Sequence, residues 1–305
     1  MRQFSIPRLQ SLTLLFGLLA GGWLRAAEGV PTSVIADPSR DAKFPAGMQV
    51  AAIPTGGVNI NGVLYLAAGP GPHPTLVFFH GFPGNEQNLD LAQAVRRAGW
   101  NVLTLHYRGC WGSPGAFSFA HVQEDALAAL AWVRSPQNPA HDRIDSSRLA
   151  IVGHSMGGFV VAMTGARDPA LLGVGMIAAW NIGADAENFA GSAAARKAGL
   201  ADLADSMQSL AGCTPESLFE EMVAHGHEWN FVNQAAGLAT RPLLLVSCDD
   251  GLRAESDKLA AAVRTAGAKQ ITARYFPTDH AFSDHRIALQ GAVVQWLETL
   301  SSAPR

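Results

Sequence analysis

The sequence predicts an α/β fold: a mostly parallel, eight-stranded sheet with helices on both faces and a small helical cap. Three observations lead there. Short, continuous apolar runs, as expected of strands buried on both faces, alternate with segments of helical periodicity. The first two runs lie close enough in sequence to pair as an antiparallel hairpin. One later interval is too long for a plain loop and is helix-prone throughout.

The strands are expected, in order, at Met48–Ile53, Val58–Leu66, Leu76–Phe79, Val102–His106, Leu149–Val152, Val174–Ala179, Leu243–Ser247 and Ile271–Phe276. Pro54, Thr55, Gly56 and Gly57 supply the turn of the opening hairpin. Helices are expected at Leu89–Ala98, Val122–Val133, Met156–Ala166, Leu259–Ala266 and Ile287–Leu300. In the second, Val122, Ala126, Ala129, Leu130 and Val133 share one face. The long interval, Gly183 to Thr240, is Ala-rich, with breaks at Gly191, Gly199, Gly212, Pro215 and Gly226. It reads as a cap at about 184–240, inserted after the sixth strand. The main domain then spans 48–300, preceded by a loose leader at 28–47.

The first 27 residues stand apart. Arg2 and Arg8 precede an apolar stretch from Leu12 to Ala20, and Ala26 and Ala27 offer small residues for cleavage. That is the layout of a secretory signal peptide, although Leu24 or Arg25 fits the −3 position poorly. An uncleaved N-terminal anchor is the alternative. The apolar run is short for a membrane span of about 20 residues. A secreted or periplasmic protein, with no membrane contact beyond the export signal, is expected.

Composition excludes several classes. The chain has 305 residues, enough for one large α/β domain with an insertion or for two domains. It is 48% hydrophobic and 15% charged, which rules out a disordered chain. Lys plus Arg number 22 against 25 Asp plus Glu, so no basic surplus recommends a nucleic-acid partner. Three cysteines are too few for a disulfide scaffold. Export permits a Cys110–Cys213 bridge, but three small thiols are preferred.

The chemistry-bearing motif is Gly153-His154-Ser155-Met156-Gly157. It follows an apolar strand and precedes a helix, the context in which G-x-S-x-G forms a sharp turn that exposes the serine Oγ. Ser155 is the candidate nucleophile. An acyl-transfer site also needs backbone donors for the oxyanion. The amide of Met156, after the nucleophile, is one. Phe82, in His80-Gly81-Phe82-Pro83-Gly84 after the third strand, supplies the other, since Pro83 has no N–H. His80 reads as a loop brace rather than a base.

A serine needs an imidazole base, and the base needs an orienting carboxylate. The seventh strand ends at Cys248-Asp249-Asp250-Gly251 and the eighth at Pro277-Thr278-Asp279-His280. Ser155, Asp250 and His280 thus follow the chain order Ser, acid, His. Asp249 competes with Asp250, and His285 with His280. Trp111 and Trp180 are candidate substrate-binding residues, with Phe82, Phe117, Phe119, Trp229 and Phe231 as further wall candidates. Arg108 either holds a substrate carboxylate or braces loops through an ion pair. Glu124-Asp125 is placed at a helix start. His225, His227 and Glu228 lack a distant third ligand and read as polar cap surface. No metal or cofactor is expected.

Together, His80–Gly84, Gly153–Gly157, Asp250 and His280 resemble the α/β-hydrolase superfamily over nearly the whole chain from Met48 to Leu300. His106–Gly112 and His280–Asp284 resemble loops of its prolyl-oligopeptidase-like and dienelactone-hydrolase-like branches. The resemblance implies a serine nucleophile acting on esters, thioesters or peptides, with those roles falling on Ser155, Asp250 and His280. About twenty residues between the signal and the first strand leave no room for the propeller of the peptidases in that branch, so an esterase is expected. A peptidase on short peptides, and an idle binding protein on the same fold, are the alternatives. The expected partner is a small-molecule ester or short peptide.

Overall fold

The computed structural model describes residues 29–302, so the expected signal peptide lies outside the described residues. The chain opens with a helical turn, α1 (Thr32–Ile35), then β1 (Gly47–Thr55) and β2 (Val58–Leu66). There follow β3 (His73–Phe79), α2 (Leu89–Arg97), β4 (Asn101–Leu105), α3 (Phe119–Arg134), β5 (Ile144–His154), α4 (Met156–Arg167) and β6 (Gly173–Ile177). Helices α5 (Ile182–Ala190), α6 (Ala193–Ala204), α7 (Pro215–Trp229) and α8 (Ala235–Leu238) come next. The chain closes with β7 (Leu243–Ser247), α9 (Arg253–Thr265), β8 (Ile271–Tyr275) and α10 (Arg286–Ser302).

The eight strands form one sheet in the order β1-β2-β4-β3-β5-β6-β7-β8. The β1–β2 and β2–β4 pairs are antiparallel and every other pair is parallel. The opening turn is tighter than expected. Strand β1 runs through Thr55, leaving Gly56 and Gly57 at φ 53° and 80°. Two left-handed residues match the twist of a two-residue hairpin, and glycine takes that conformation without a Cβ penalty.

Side-chain alternation explains why the strands are apolar throughout. Val77 and Phe79 of β3 face the layer of α3, α4 and α9, while Leu76 and Phe78 face α2 and α10. Both faces are therefore covered, and the strand has no polar side. The leader is docked rather than loose. Val34 is buried, and Arg97 Nε and Nη2 donate to the carbonyls of Ser33 and Val34 at 2.5 and 3.2 Å. One apolar side chain and two satisfied carbonyls hold the turn onto α2.

The insertion between β6 and β7 is helical, as expected, and begins at Ile182. Its strap at 209–211 is hydrogen-bonded to the body: Trp111 N–H donates to Ser209 O at 3.0 Å, Ala211 N–H to Gly109 O at 2.8 Å and Phe117 N–H to Ala211 O at 2.9 Å. Cys110, Cys213 and Cys248 are free thiols, so the possible Cys110–Cys213 bridge is not formed. Among the described residues no helix is long and apolar enough to cross a membrane.

Candidate active site

Ser155 sits between β5 and α4 at φ 58° and ψ −119°, a strained backbone for a residue with a side chain. The turn closes only because its neighbours are glycines. A Cβ on Gly153 would lie 1.9 Å from Gly157 O, and one on Gly157 would lie 2.0 Å from Phe79 O. A Cβ on Gly158 would lie 2.4 Å from that of Ala179, so this glycine lets α4 settle on the sheet. Ser155 N–H donates to Ile177 O at 2.9 Å, and Ser155 O accepts from Trp180 N–H at 3.0 Å. The serine backbone is thus gripped from β6. Its Oγ makes no hydrogen bond among the described residues.

The loop after β3 presses against this turn. A Cβ on Gly81 would lie 2.8 Å from Ser155 Cβ and 3.3 Å from its Oγ. The Phe82 amide is therefore carried on backbone that touches the serine, while Met156 opens α4, where the first N–H groups have no intrahelical partner. His80 braces the loop: it is buried, and its Nδ1 lies 2.7 Å from Gly81 O. Burial lowers its pKa to about 4, so it stays neutral. Its ring is committed below the loop.

The acid and base come from the ends of β7 and β8. His280 Nδ1 lies 2.8 Å from Asp250 Oδ2, and the other carboxylate oxygen accepts the Leu252 N–H at 2.9 Å. Burial alone would raise the Asp250 pKa. Hydrogen bonds from His280, the Leu252 amide and the Cys248 thiol outweigh it, and the carboxyl is held below its ordinary range. Asp249 instead accepts the Tyr275 hydroxyl at 2.6 Å. Of the two adjacent carboxylates, Asp250 is the one at the imidazole. His285 lies just before α10, not within it, and bonds Asp284.

Two residues beside the site escaped the sequence reading. His154 is buried, and its Nε2–H donates to the His280 carbonyl at 2.8 Å, with the two rings 4.7 Å apart. Burial, then the charge of His280, lowers its pKa to about 3. The second is Cys248, buried beside Asp250. His154 fills an unspecified position of G-x-S-x-G and Cys248 lies outside that motif, so spacing gives no signal.

The expected walls divide into surface and core. Trp180 is half-buried and packs against Phe82, with ring centroids 6.0 Å apart. Trp111 is 42% exposed and its Nε1–H donates to Pro83 O at 2.8 Å. It borders a cleft of about 540 Å³ that the cap strap lines with Gln208, Ser209 and Leu210. Phe117, Phe119, Trp229 and Phe231 are buried, and Phe117 and Phe119 pack against Phe82 with ring centroids 5.6 Å away. Arg108 is spoken for: its Nε meets Asp125 at 2.6 Å and one Nη meets Glu124 at 2.5 Å. These carboxylates are not at a helix start, because Ser118 caps α3 and the helix begins at Phe119. Asp125 is wholly buried as the counter-ion of Arg108. On the cap, His225 stacks on Trp229 at 4.5 Å and meets Glu228 at 3.3 Å.

A family model described as alpha/beta hydrolase fold matches residues 74–234. The lysophosphatidylserine lipase ABHD12 of Danio rerio is 31% identical over 88 residues, 28% of this chain and 21% of that protein. The putative esterase YheT of Escherichia coli (strain K12) is 30% identical over 95 residues, 29% of this chain and 26% of that one. The chain thus spans about a fifth to a quarter of the length of these curated relatives. Among solved structures, the carboxylesterase EstE1 from a metagenomic library superposes with a TM-score of 0.60 at 18% identity, covering 90% of this chain and 93% of that one. The acylaminoacyl peptidase of Pyrococcus horikoshii gives a TM-score of 0.62 at 15% identity, over 87% and 43%. At such identities these likenesses speak for the fold alone.

Proposed function

The chain belongs to the alpha/beta hydrolase fold family, and from that premise we propose that it is a serine hydrolase cleaving carboxylic esters through an acyl-enzyme on Ser155. The observation that supports this best is the pairing of a strained, glycine-flanked Ser155 with an Asp250–His280 contact of 2.8 Å.

His280 Nε2 takes the Ser155 proton as Oγ attacks the carbonyl. Asp250 holds Nδ1–H and stabilises the imidazolium that forms. The amides of Phe82 and Met156 receive the oxyanion. His280 then protonates the leaving alcohol, and water returns along the same path to free the serine. Trp180, on the backbone that grips Ser155, and Trp111, hydrogen-bonded from the loop after β4 to the loop that carries Phe82, flank the acyl and alcohol groups. The chain's own residues suffice for each step, and the substrate is a small-molecule ester. The charge and apolar pattern of the first 27 residues supports export and an activity outside the cytoplasm.

The test is labelling by a fluorophosphonate probe, with Ser155→Ala beside the wild type. Short and medium p-nitrophenyl esters are then compared with aminoacyl anilides. Ser155-dependent labelling with ester turnover dominant is the expected result. Dominant anilide turnover would make the protein a peptidase. Folded protein that takes no label would leave a binding protein on a hydrolase fold.

A further inference from the structure

The proposed hydrolysis has no use for Cys248, yet its thiol stands among the groups that orient the base. Cys248 Sγ, an Asp250 carboxylate oxygen and a His280 ring nitrogen all lie within 4.8 Å of one another. They are the one group of three metal-ligating side chains so placed among the described residues. From this juxtaposition we propose that Cys248, Asp250 and His280 Nδ1 form a site for a thiophilic divalent cation of the zinc class, and that a cation there switches the imidazole base off.

The donor set selects the ion. One sulfur, one nitrogen and one oxygen suit a borderline-soft, tetrahedral cation, whereas magnesium and calcium require oxygen ligands. The fit requires little movement. Tetrahedral ligation with bonds of about 2.0–2.3 Å sets ligand atoms about 3.5 Å apart. The 2.8 Å contact between Asp250 and His280 must open slightly, and the thiol must approach by about an ångström. Cys248 and Asp250 are enclosed, while the His280 side chain is 41% exposed, so entry and a fourth, water-held position lie on the His280 side. Charge favours a cation as well. Asp249 and Asp279 add their negative charge to that of Asp250 around the sulfur. A cation of the zinc class binds sulfur strongly enough to displace the thiol proton; a hard one does not.

The switch follows from the tautomer. In the resting site Nδ1 carries the proton shared with Asp250, and the Nε2 lone pair is free for Ser155. A cation on Nδ1 takes that nitrogen's lone pair, and the proton moves to Nε2. The Cys248 proton leaves to solvent, Asp250 exchanges a hydrogen bond for a metal bond, and no electrons are transferred. With Nε2 protonated, nothing accepts the Ser155 proton. This step rests on the hydrolase reading above; the metal site itself does not.

The two parts are tested separately on the full chain. Cobalt(II) is titrated into protein free of chelators and added thiols, and the near-ultraviolet thiolate-to-cobalt band is recorded. A band at one equivalent is expected, displaced by zinc, retained in Cys110→Ser/Cys213→Ser and lost in Cys248→Ala. Cys248→Ser, closer in shape, serves if the alanine variant does not fold. A missing band, or one that survives both Cys248 variants, overturns the site. Zinc inhibition of p-nitrophenyl acetate hydrolysis then reads the switch. The inhibition constant should rise by about tenfold or more without the thiol, each variant being compared with its own zinc-free rate. A Cys248-dependent band with turnover indifferent to zinc overturns the switch. Turnover that survives Ser155→Ala would count instead against the hydrolase reading.

Discussion

Gly157→Ala offers the sharpest test of how the nucleophile turn is built. The added Cβ would sit 2.0 Å from Phe79 O, 2.7 Å from Phe79 C and 2.9 Å from His80 O. All three are backbone atoms of β3 and its loop, so no side chain can rotate away. Ordinary contact begins near 3.4 Å, and α4 must retreat by about 1.4 Å to reach it. Two costs follow. Overpacking of this kind costs about 1–3 kcal/mol, and a clash with backbone belongs at the upper end. At about 2–4 °C per kcal/mol, the melting midpoint should fall by roughly 6–12 °C. The retreat also carries the Met156 amide away from the Phe82 amide, because one rides on α4 and the other on the loop it leaves. A misplacement of about 1 Å at a reacting centre costs about a hundredfold. The kcat/KM for a p-nitrophenyl ester should therefore fall by about 10²–10³, as for loss of one oxyanion donor. Gly47→Ala is the control, since its Cβ would meet nothing within 4 Å. Turnover within about threefold of wild type in a Gly157→Ala protein would refute the coupling of helix position to the amide pair. An unchanged midpoint would refute the packing itself.

Three further predictions follow from the same geometry. Asp250→Asn should lower kcat/KM by about 10³–10⁴ while Asp249→Asn stays within a few-fold, both read by ester turnover. Equal losses would return the two carboxylates to parity. His80 and His154 are neutral in the fold, with pKa values lowered to about 4 and about 3 from an unfolded value of 6.5. Their contribution is complete above pH 6.5 and is lost as pH falls towards the folded values, at up to about 1.4 kcal/mol per pH unit for each imidazole. Urea unfolding at pH 7 and pH 5 should show this loss, and a smaller one in His154→Gln. Asp125→Ala should destabilise by about 3–5 kcal/mol because it removes the buried counter-ion of Arg108 and leaves only the exposed Glu124, and Arg108→Met/Asp125→Leu should recover most of that in the same assay. A double variant no better than the single one would remove the stranded charge as the cause.

The parts of this molecule legible in sequence are those governed by short-range rules. Strands buried on both faces read as apolar runs, and β3, β6 and β7 end within two residues of their expected positions. The Ser155 turn was legible because steric demand at Gly153 and Gly157 excludes every other residue. The choice between Asp249 and Asp250 was not. Both lie in one loop, and only the positions of Tyr275, at the end of β8, and His280, in the loop after it, separate them. His154 and Cys248 were silent for a similar reason, as their partners lie 126 and two residues away and neither spacing is periodic. Wall and core aromatics were inseparable because burial, not residue type, distinguishes Trp180 from Trp229. Glu124 and Asp125 lie in the second turn rather than at the helix start because α3 begins at the buried Phe119, three residues before the expected start at Val122.

The Pro83 carbonyl accepts the Trp111 indole N–H at 2.8 Å and the Cys110 thiol at 3.4 Å, and the Ser209 hydroxyl of the cap stands 3.5 Å away. One oxygen thereby ties the rim of the cleft, the inserted helices and the loop bearing the Phe82 amide into a single knot. Under the proposed ester hydrolysis, breadth of substrate and speed of turnover are then not independent variables. Any reshaping of the strap at 209–211 to admit a bulkier alcohol pulls on the same carbonyl, one residue from the Phe82 amide. Selection for a wider entrance would have to re-anchor that loop at the same time, so changes in the cap should arise in company with changes at Cys110, Trp111 or Pro83 rather than alone.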